Sequence, residues 1–451
     1  MSQLYRHGRT RNRERCEADY DYERDSYVES CNPELNQAEK ADYEYRCAEY
    51  EHEYEYETMP AAQPFYFGQA PCCYSASRLY TPAMVDRKAL FMYSPELESL
   101  PYPEDHPFNT RRARRTRELA ESRGWLSGPG IQVEAAEPAG RMDLKKVHSA
   151  RYLHAFKRSA EGVWQSEAMG MGLGSSDCPM FEGVFDHAVL ATGMTLRAAR
   201  KLLAGEVDVA FNPSGGFHHA GPEQASGFCY INDVAIACLT LADAGKRVIY
   251  LDIDVHHGDG VAYAVYERAD VMTISLHEDP RVLFPGTGFV HEIGKDAGEG
   301  YCVNVPLPIG TYDMVYQNAF EALVLPLIKA YGPDVFVLEF GADALAGDPL
   351  AHLQLTNNTY VEVITQLLAF GKPILMTGGG GYQIENTVRA WALGWRVLCG
   401  TADEAAGPVP WEALLDEEVE ISDLQRETVS RTVSQTVEQV KKKVFPYHGI
   451  S

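Results

Sequence analysis

The sequence predicts an α/β protein built on a central, mostly parallel sheet with helices on both faces. Two observations carry this. From Lys88 onward, short apolar runs alternate with helix-length stretches, the order expected when parallel strands are joined by crossover helices. In addition, each chemically loaded segment lies where an apolar run ends, and in such sheets ligands sit beyond the carboxyl ends of the strands.

Taken in order, Ala89-Leu-Phe-Met-Tyr93 reads as a first short strand. Asp186 is a candidate N-cap for a helix through Leu203, with Gly205 as its stop signal. Val207 to Phe211 is the next strand, and Asn232-Asp233 cap a second helix that ends near Gly245. Arg247 to Asp252 and Val271 to Leu276 are further strands. Asp313 opens a helix closed by Gly332-Pro333, and Val335 to Phe340 is the strand beyond it. Thr359 to Phe370 reads as helix and Lys372 to Thr377 as a strand running into four glycines.

The chain divides near residue 85. Residues 1–85 are Arg-rich and then Glu/Tyr-rich, as in Tyr50-Glu-His-Glu-Tyr-Glu-Tyr-Glu57, with few aliphatic residues to build a core. They read as a low-complexity tail. Residues 86–451 read as one domain with a C-terminal helical extension. A net charge of -24 disfavours nucleic acid or anionic lipid as a partner, since both need clustered positive charge. No apolar run reaches the roughly 18 residues of a membrane span, and the basic start lacks the apolar stretch of a secretory signal. The ten cysteines include no C-x-x-C pair, so reduced thiols in a cytoplasm are expected.

Four strand ends carry the chemistry. In Tyr250-Leu-Asp-Ile-Asp-Val-His-His-Gly-Asp259, alternation along an extended chain projects Asp252, Asp254 and His256 together. Such a cluster suits a divalent metal, zinc or iron; the alternative is a polar loop satisfied by backbone amides. Adjacent His218 and His219 follow the Val207 strand in a Gly-rich loop, as metal ligands or a general base. Asp343 emerges just past the Val335 strand. Thr377-Gly-Gly-Gly-Gly-Tyr382 lets backbone approach a ligand and presents one phenol. Its glycines match neither a P-loop nor a dinucleotide fingerprint.

These segments resemble the zinc-dependent histone deacetylase superfamily over residues from about 88 to the C-terminus. The matching stretches are Ser214-Gly-Gly-Phe-His-His-Ala220, Ala225-Ser-Gly-Phe-Cys-Tyr-Ile-Asn-Asp233, Asp252-Ile-Asp-Val-His-His-Gly-Asp-Gly260, Phe284-Pro-Gly-Thr-Gly288, Gly341-Ala-Asp343, Gly347-Asp-Pro349 and Gly378-Gly-Gly-Gly-Tyr382. Within the superfamily the chain looks most like the bacterial acetoin-utilisation deacetylases, whose ending Val444-Phe-Pro-Tyr-His-Gly-Ile450 resembles. The resemblance implies the three-layer arginase/deacetylase-like fold. It implies one zinc held by Asp254, His256 and Asp343, ferrous iron being compatible with the same ligands. His219 matches the general base and Asp259 its orienting carboxylate. His218, paired with Asp252, matches the second imidazole, and Tyr382 matches the phenol that binds the substrate carbonyl. Gly227, Phe228 and Phe284 match a narrow tunnel, with Leu350 at its rim. Asp252, Asp254, His256, Ser275 and Leu276 match a structural monovalent-cation site, expected to hold potassium.

Departures from related patterns narrow the expectation. Gly258 and Leu345 stand where the binuclear arginases carry further acids, which disfavours a two-metal ureohydrolase. Leu350 stands where polyamine deacetylases can carry a gatekeeper acid, which favours acyl-lysine, although Asp348, Glu278 and Asp279 leave an acidic rim open. Glu339 replaces the family's commoner Gln and adds a charge behind the ligands. The expected activity is removal of acetyl groups from lysine side chains of proteins or peptides, with an acyl-CoA synthetase among the expected targets. The competing expectations are an acetylpolyamine deacetylase and an acyl-lysine-binding module without turnover.

Overall fold

In the computed structural model, residues 87–100, 102–163, 165–400 and 410–451 are described. The expected tail, residues 1–85, lies outside them. Eight strands form the sheet: β1 (Ala89–Met92), β2 (Ile131–Glu134), β3 (Val209–Asn212), β4 (Val248–Asp252), β5 (Val271–Glu278), β6 (Cys302–Leu307), β7 (Val335–Glu339) and β8 (Ile374–Thr377). Their order is β2-β1-β3-β8-β7-β4-β5-β6, and every pairing is parallel.

Alternation along each strand splits the core into two layers. Ala89, Phe91, Ile249, Leu251, Phe336 and Leu338 face one large cluster, shared with the C-terminal helices. Leu90, Met92, Val248, Tyr250, Val335 and Val337 face the other. That second face is covered by α1 (Val184–Leu203) and α2 (Asp233–Asp243). Burial of both faces explains why the central strands are apolar up to their carboxyl ends, and each fully buried Leu, Ile or Phe contributes about 1.5–3 kcal/mol.

Most expected elements are present with shifted ends. Asp186 is not the cap of α1. The helix starts at Val184 after Gly183, whose φ of 87 turns the chain, and Val184 is fully buried. Asp186 instead lies in the first turn, where a carboxylate suits the helix dipole. The stretch from Asp313 to Gly332 is not one uniform α-helix but passes through a π turn at Phe320–Val324. Pro326 begins the next α-segment, Leu325–Tyr331, and a proline there removes an amide and needs the wider turn. β3 is shifted to Val209–Asn212, and the Thr359 helix starts earlier, at Asn357, capped by Thr356. The C-terminal extension is helical, as expected, over Asp423–Val444. Among the described residues, no helix is long and apolar enough to cross a membrane.

Candidate active site

The four loops that carry chemistry follow β3, β8, β7 and β4, which are contiguous in the sheet. The loop after β4 turns back on itself through its own acids. Asp252 Oδ1 accepts the amide of Asp254 (3.1 Å), and Asp254 Oδ1 accepts that of His256 (2.9 Å). Asp343, from the loop after β7, accepts the amide of Val255 (2.9 Å), and Gly380, after β8, donates its amide to Asp254 Oδ2 (2.6 Å).

Asp254, His256 and Asp343 thereby offer one ligand atom each within 4.8 Å of one another, all buried. His256 Nδ1 lies 3.1 Å from Asp254 Oδ1 and 3.0 Å from Asp343 Oδ2. This cradle attracts positive charge. Burial raises the Asp343 carboxyl to about 7, with Asp254 adding to it. Burial opposes a charge on His256, yet bonds to Asp254 and Asp343 raise its imidazole to about 10. Two carboxylates and an imidazole fit zinc or ferrous iron. A Cβ on Gly380 would collide with Asp343 Oδ2, so the backbone must pass bare at this point.

Beside the cradle runs a hydrogen-bonded line. Asp252 Oδ2 faces His218 Nδ1 (3.0 Å), His218 Nε2 faces His219 Nε2 (2.9 Å), and His219 Nδ1 faces Asp259 Oδ1 (2.7 Å). If both Nδ1 atoms donate to carboxylates, the bond between the Nε2 atoms requires one further proton, so the pair carries one positive charge. That proton belongs on His218. Burial opposes the charge, but Asp252 and Asp254 outweigh it and hold this imidazole well above its ordinary value. Burial, with His218 alongside, pushes His219 down to about 4. His219 is thus neutral at pH 7, as a base must be.

Two of the expected tunnel residues, Gly227 and Phe284, lie against His219. Gly227 lies between two rings, where a Cβ would stand 2.5 Å from His219 and 2.8 Å from Phe284. Phe284 packs 5.0 Å from His219 between ring centroids and is 41% exposed. Phe228, with a φ of 67, packs edge-on to Tyr382 at 5.7 Å. Tyr382 lies 6.5 Å from the His256 ring. Leu350 is partly exposed, with its amide on Asp348. Of the expected monovalent-cation residues, Ser275 is the register partner of Asp252, but its hydroxyl bonds His277 at 2.8 Å. The Leu276 side chain belongs to the core.

Several residues that organise the site escaped the sequence reading. Asn232 does cap a helix, through Ala235 (2.8 Å), but its Nδ2 also donates to the carbonyls of His218 and Ala220, both at 3.1 Å. Asp233 is no cap. It accepts the amides of Gly216 (3.2 Å) and Phe217 (2.9 Å) and the Thr195 hydroxyl (2.5 Å). Together the two fix the histidine loop, and their adjacency to an apolar helix concealed this role. Asp348 accepts the amides of Leu350 (3.0 Å) and Tyr382 (2.7 Å). Buried Arg112, on the helix Arg111–Ser122, donates to the Gly381 carbonyl (2.8 Å). Tyr250 donates its hydroxyl to Asp252 (2.6 Å). The departures from the arginase pattern are structural too. A side chain on Gly258 would collide with Asp252, and Leu345 is a buried core residue.

The histone deacetylase domain family matches residues 106–398 of the chain. Rice (Oryza sativa subsp. japonica) "Histone deacetylase 2" is 39% identical over 318 residues, which cover 70% of this chain and 62% of that protein. The chain thus spans about three-fifths of this relative's length. "Histone deacetylase 8" of Xenopus tropicalis is 40% identical over 292 residues, covering 64% and 78%. Human "Histone deacetylase 1" is 35% identical over 318 residues, covering 70% and 65%. Among solved structures, a histone deacetylase homologue complexed with SAHA superposes with a TM-score of 0.70 at 29% identity, covering 79% of this chain and all of that one.

Proposed function

The chain belongs to the histone deacetylase family, and from that premise we propose that it is a zinc-dependent hydrolase that removes acetyl groups from lysine side chains of proteins or peptides. One observation carries the reading: a buried Asp254-His256-Asp343 cradle stands beside an Asp252-His218-His219-Asp259 line. A divalent ion held there supplies Lewis acidity toward the acetyl carbonyl and the attacking water.

The remaining roles fall to the chain's own groups. Neutral His219, held through Nδ1 by Asp259, takes a proton from water at Nε2 as the oxygen attacks the carbonyl carbon, once the His218 N–H has released that lone pair. The Tyr382 hydroxyl donates to the oxyanion that develops. His218 carries the charge that faces this anion, and its contact with His219 gives a path for a proton to the lysine nitrogen as the C–N bond breaks. Acetate and the free amine leave. Phe228 and Phe284 shelter the methylene stem of the lysine.

Tyr382→Phe tests the oxyanion role. Loss of one such donor raises the barrier by about 2.7–4 kcal/mol, or roughly 100- to 1,000-fold in kcat. Metal content should stay at the wild-type level, and an unchanged kcat would exclude the phenol from catalysis.

Protein lysine is favoured over polyamine because the acids that left an acidic rim open are engaged. Glu278 accepts the backbone amide and faces Nδ1 of His352, both at 2.8 Å. Asp279 pairs with Arg281, and Asp348 holds backbone amides. An acyl-CoA synthetase target depended on the acetoin-branch likeness, whereas the relatives compared above are eukaryotic histone deacetylases, so we do not narrow the substrate to it. We assign the chain to a reducing compartment such as the cytoplasm, since Cys178, Cys229, Cys238 and Cys302 are thiols with no disulfide partner among the described residues.

A fluorogenic acetyl-lysine peptide, run beside acetylpolyamines with a hydroxamate control and metal analysis, tests the whole reading. Metal-loaded protein that turns over no acyl-amine would reduce the chain to a binding module. Removing residues 1–85 should leave the peptide rate unchanged, and a collapse would place the catalytic boundary further upstream.

A further inference from the structure

Across six adjacent strands, the residues Asn212, Thr377, Glu339, Asp252, Ser275 and Asn304 are register partners. All six are buried, so a row of polar side chains lies along the carboxyl end of the sheet. Glu339 is fully buried within it. Its Oε2 accepts the Thr377 hydroxyl at 2.6 Å, while its Oε1 has no hydrogen-bond partner among the described residues. That oxygen lodges where two loops touch. A Cβ on Gly216 would lie 2.6 Å from Glu339 Oε1 and 2.5 Å from the Gly379 nitrogen, and one on Gly379 would lie 2.9 Å from the same oxygen. Gly216 stands two residues before His218, and Gly379 three before Tyr382.

We propose that Glu339 is a positioning residue that keys the loop carrying His218 and His219 to the loop carrying Tyr382, acting through its length and its bond to Thr377 rather than through charge. The assignment rests on the roles proposed above for those three residues. A charge would be poorly placed here. Burial pushes the Glu339 carboxyl well above its usual range, and the like charges of Asp252 and Asp233 add to it against the opposing effects of His218 and the Thr377 hydroxyl. A carboxamide has nearly the shape of a carboxyl group and can accept the Thr377 hydroxyl in the same way.

The test compares Glu339→Gln, Glu339→Asp and Glu339→Ala in the full, metal-loaded chain, by steady-state kinetics on an acetyl-lysine peptide and by amide hydrogen exchange over 214–220 and 378–383. Gln should restore the shape, with kcat within about threefold of wild type and unchanged exchange in both loops. Asp and Ala should lower kcat by about tenfold or more with little change in KM, since a misplacement of about 1 Å can cost about 100-fold. Both should also speed exchange in the two loops together, with metal content unchanged. The proposal is overturned if Gln is as impaired as Ala, which would make charge the active property, or if Ala leaves kcat and exchange untouched. Should the wild-type chain turn over no acyl-amine, the functional reading falls, yet the exchange pattern still decides the role of Glu339.

Discussion

An Asp254→Ala chain is expected to lose its metal and its turnover together. Asp254 is the point at which three parts of the cradle meet: its carboxylate accepts the amides of His256 and Gly380 and lies against His256 Nδ1. Removing it takes away one of two anionic ligands and leaves the Gly380 amide without its partner, which alone costs about 1–3 kcal/mol when buried. Metal analysis and peptide turnover should both fall to background. Asp254→Asn separates the two causes, because the carboxamide keeps much of the shape but not the charge that holds a divalent ion. One metal per chain and an undiminished rate in Asp254→Ala would remove this residue from the ligand set.

His219→Ala should spare the metal and damage the chemistry. General-base assistance contributes roughly 100- to 10,000-fold, and kcat should drop within that range while metal content remains that of wild type. The comparison with His218→Ala assigns the roles. Loss of His218 removes the charge beside the developing oxyanion and releases the neighbour that holds His219 low, so the pH profile of the remaining activity should change as well as its height. If His219→Ala keeps most of its rate, the proton is taken by another group, and His218 becomes the first candidate.

Much of this was legible in the residues, for a physical reason. A buried parallel strand must be apolar along its length, so β4 and β7 announce themselves, and polar residues at their ends must have a purpose or a partner. What stayed hidden depends on neighbours distant in sequence. Alternation placed Asp252, Asp254 and His256 side by side, but Asp252 is turned to His218 and Tyr250 rather than into the cradle. Its replacement, Asp343, comes from another strand. Asn232 and Asp233 looked like a helix cap because capping is a local pattern; the backbone amides that Asp233 accepts lie some sixteen residues upstream. Glu339 appeared as an unexplained acid until its register beside Asp252 and Thr377 was known. The edge strands β2 and β6 were missed. β2 is only half covered, and β6 contains a proline and an asparagine, so neither shows the unbroken apolar run that marks the centre.

The order of the strands also bears on how the protein is made. β8 lies between β3 and β7, although it is the last of the described strands in chain order. Until it arrives, β3 and β7 each present an open hydrogen-bonding edge, and the amide of Gly380 is not there to hold Asp254. The three candidate ligands are all synthesised by residue 343, but the sheet that aligns them closes only with residues 374–377. A nascent chain halted between those points would hold Asp254, His256 and Asp343 while its central sheet lacked a strand. Such long-range closure is slow, and the gap it leaves is one a chaperone or a neighbouring chain's strand could fill.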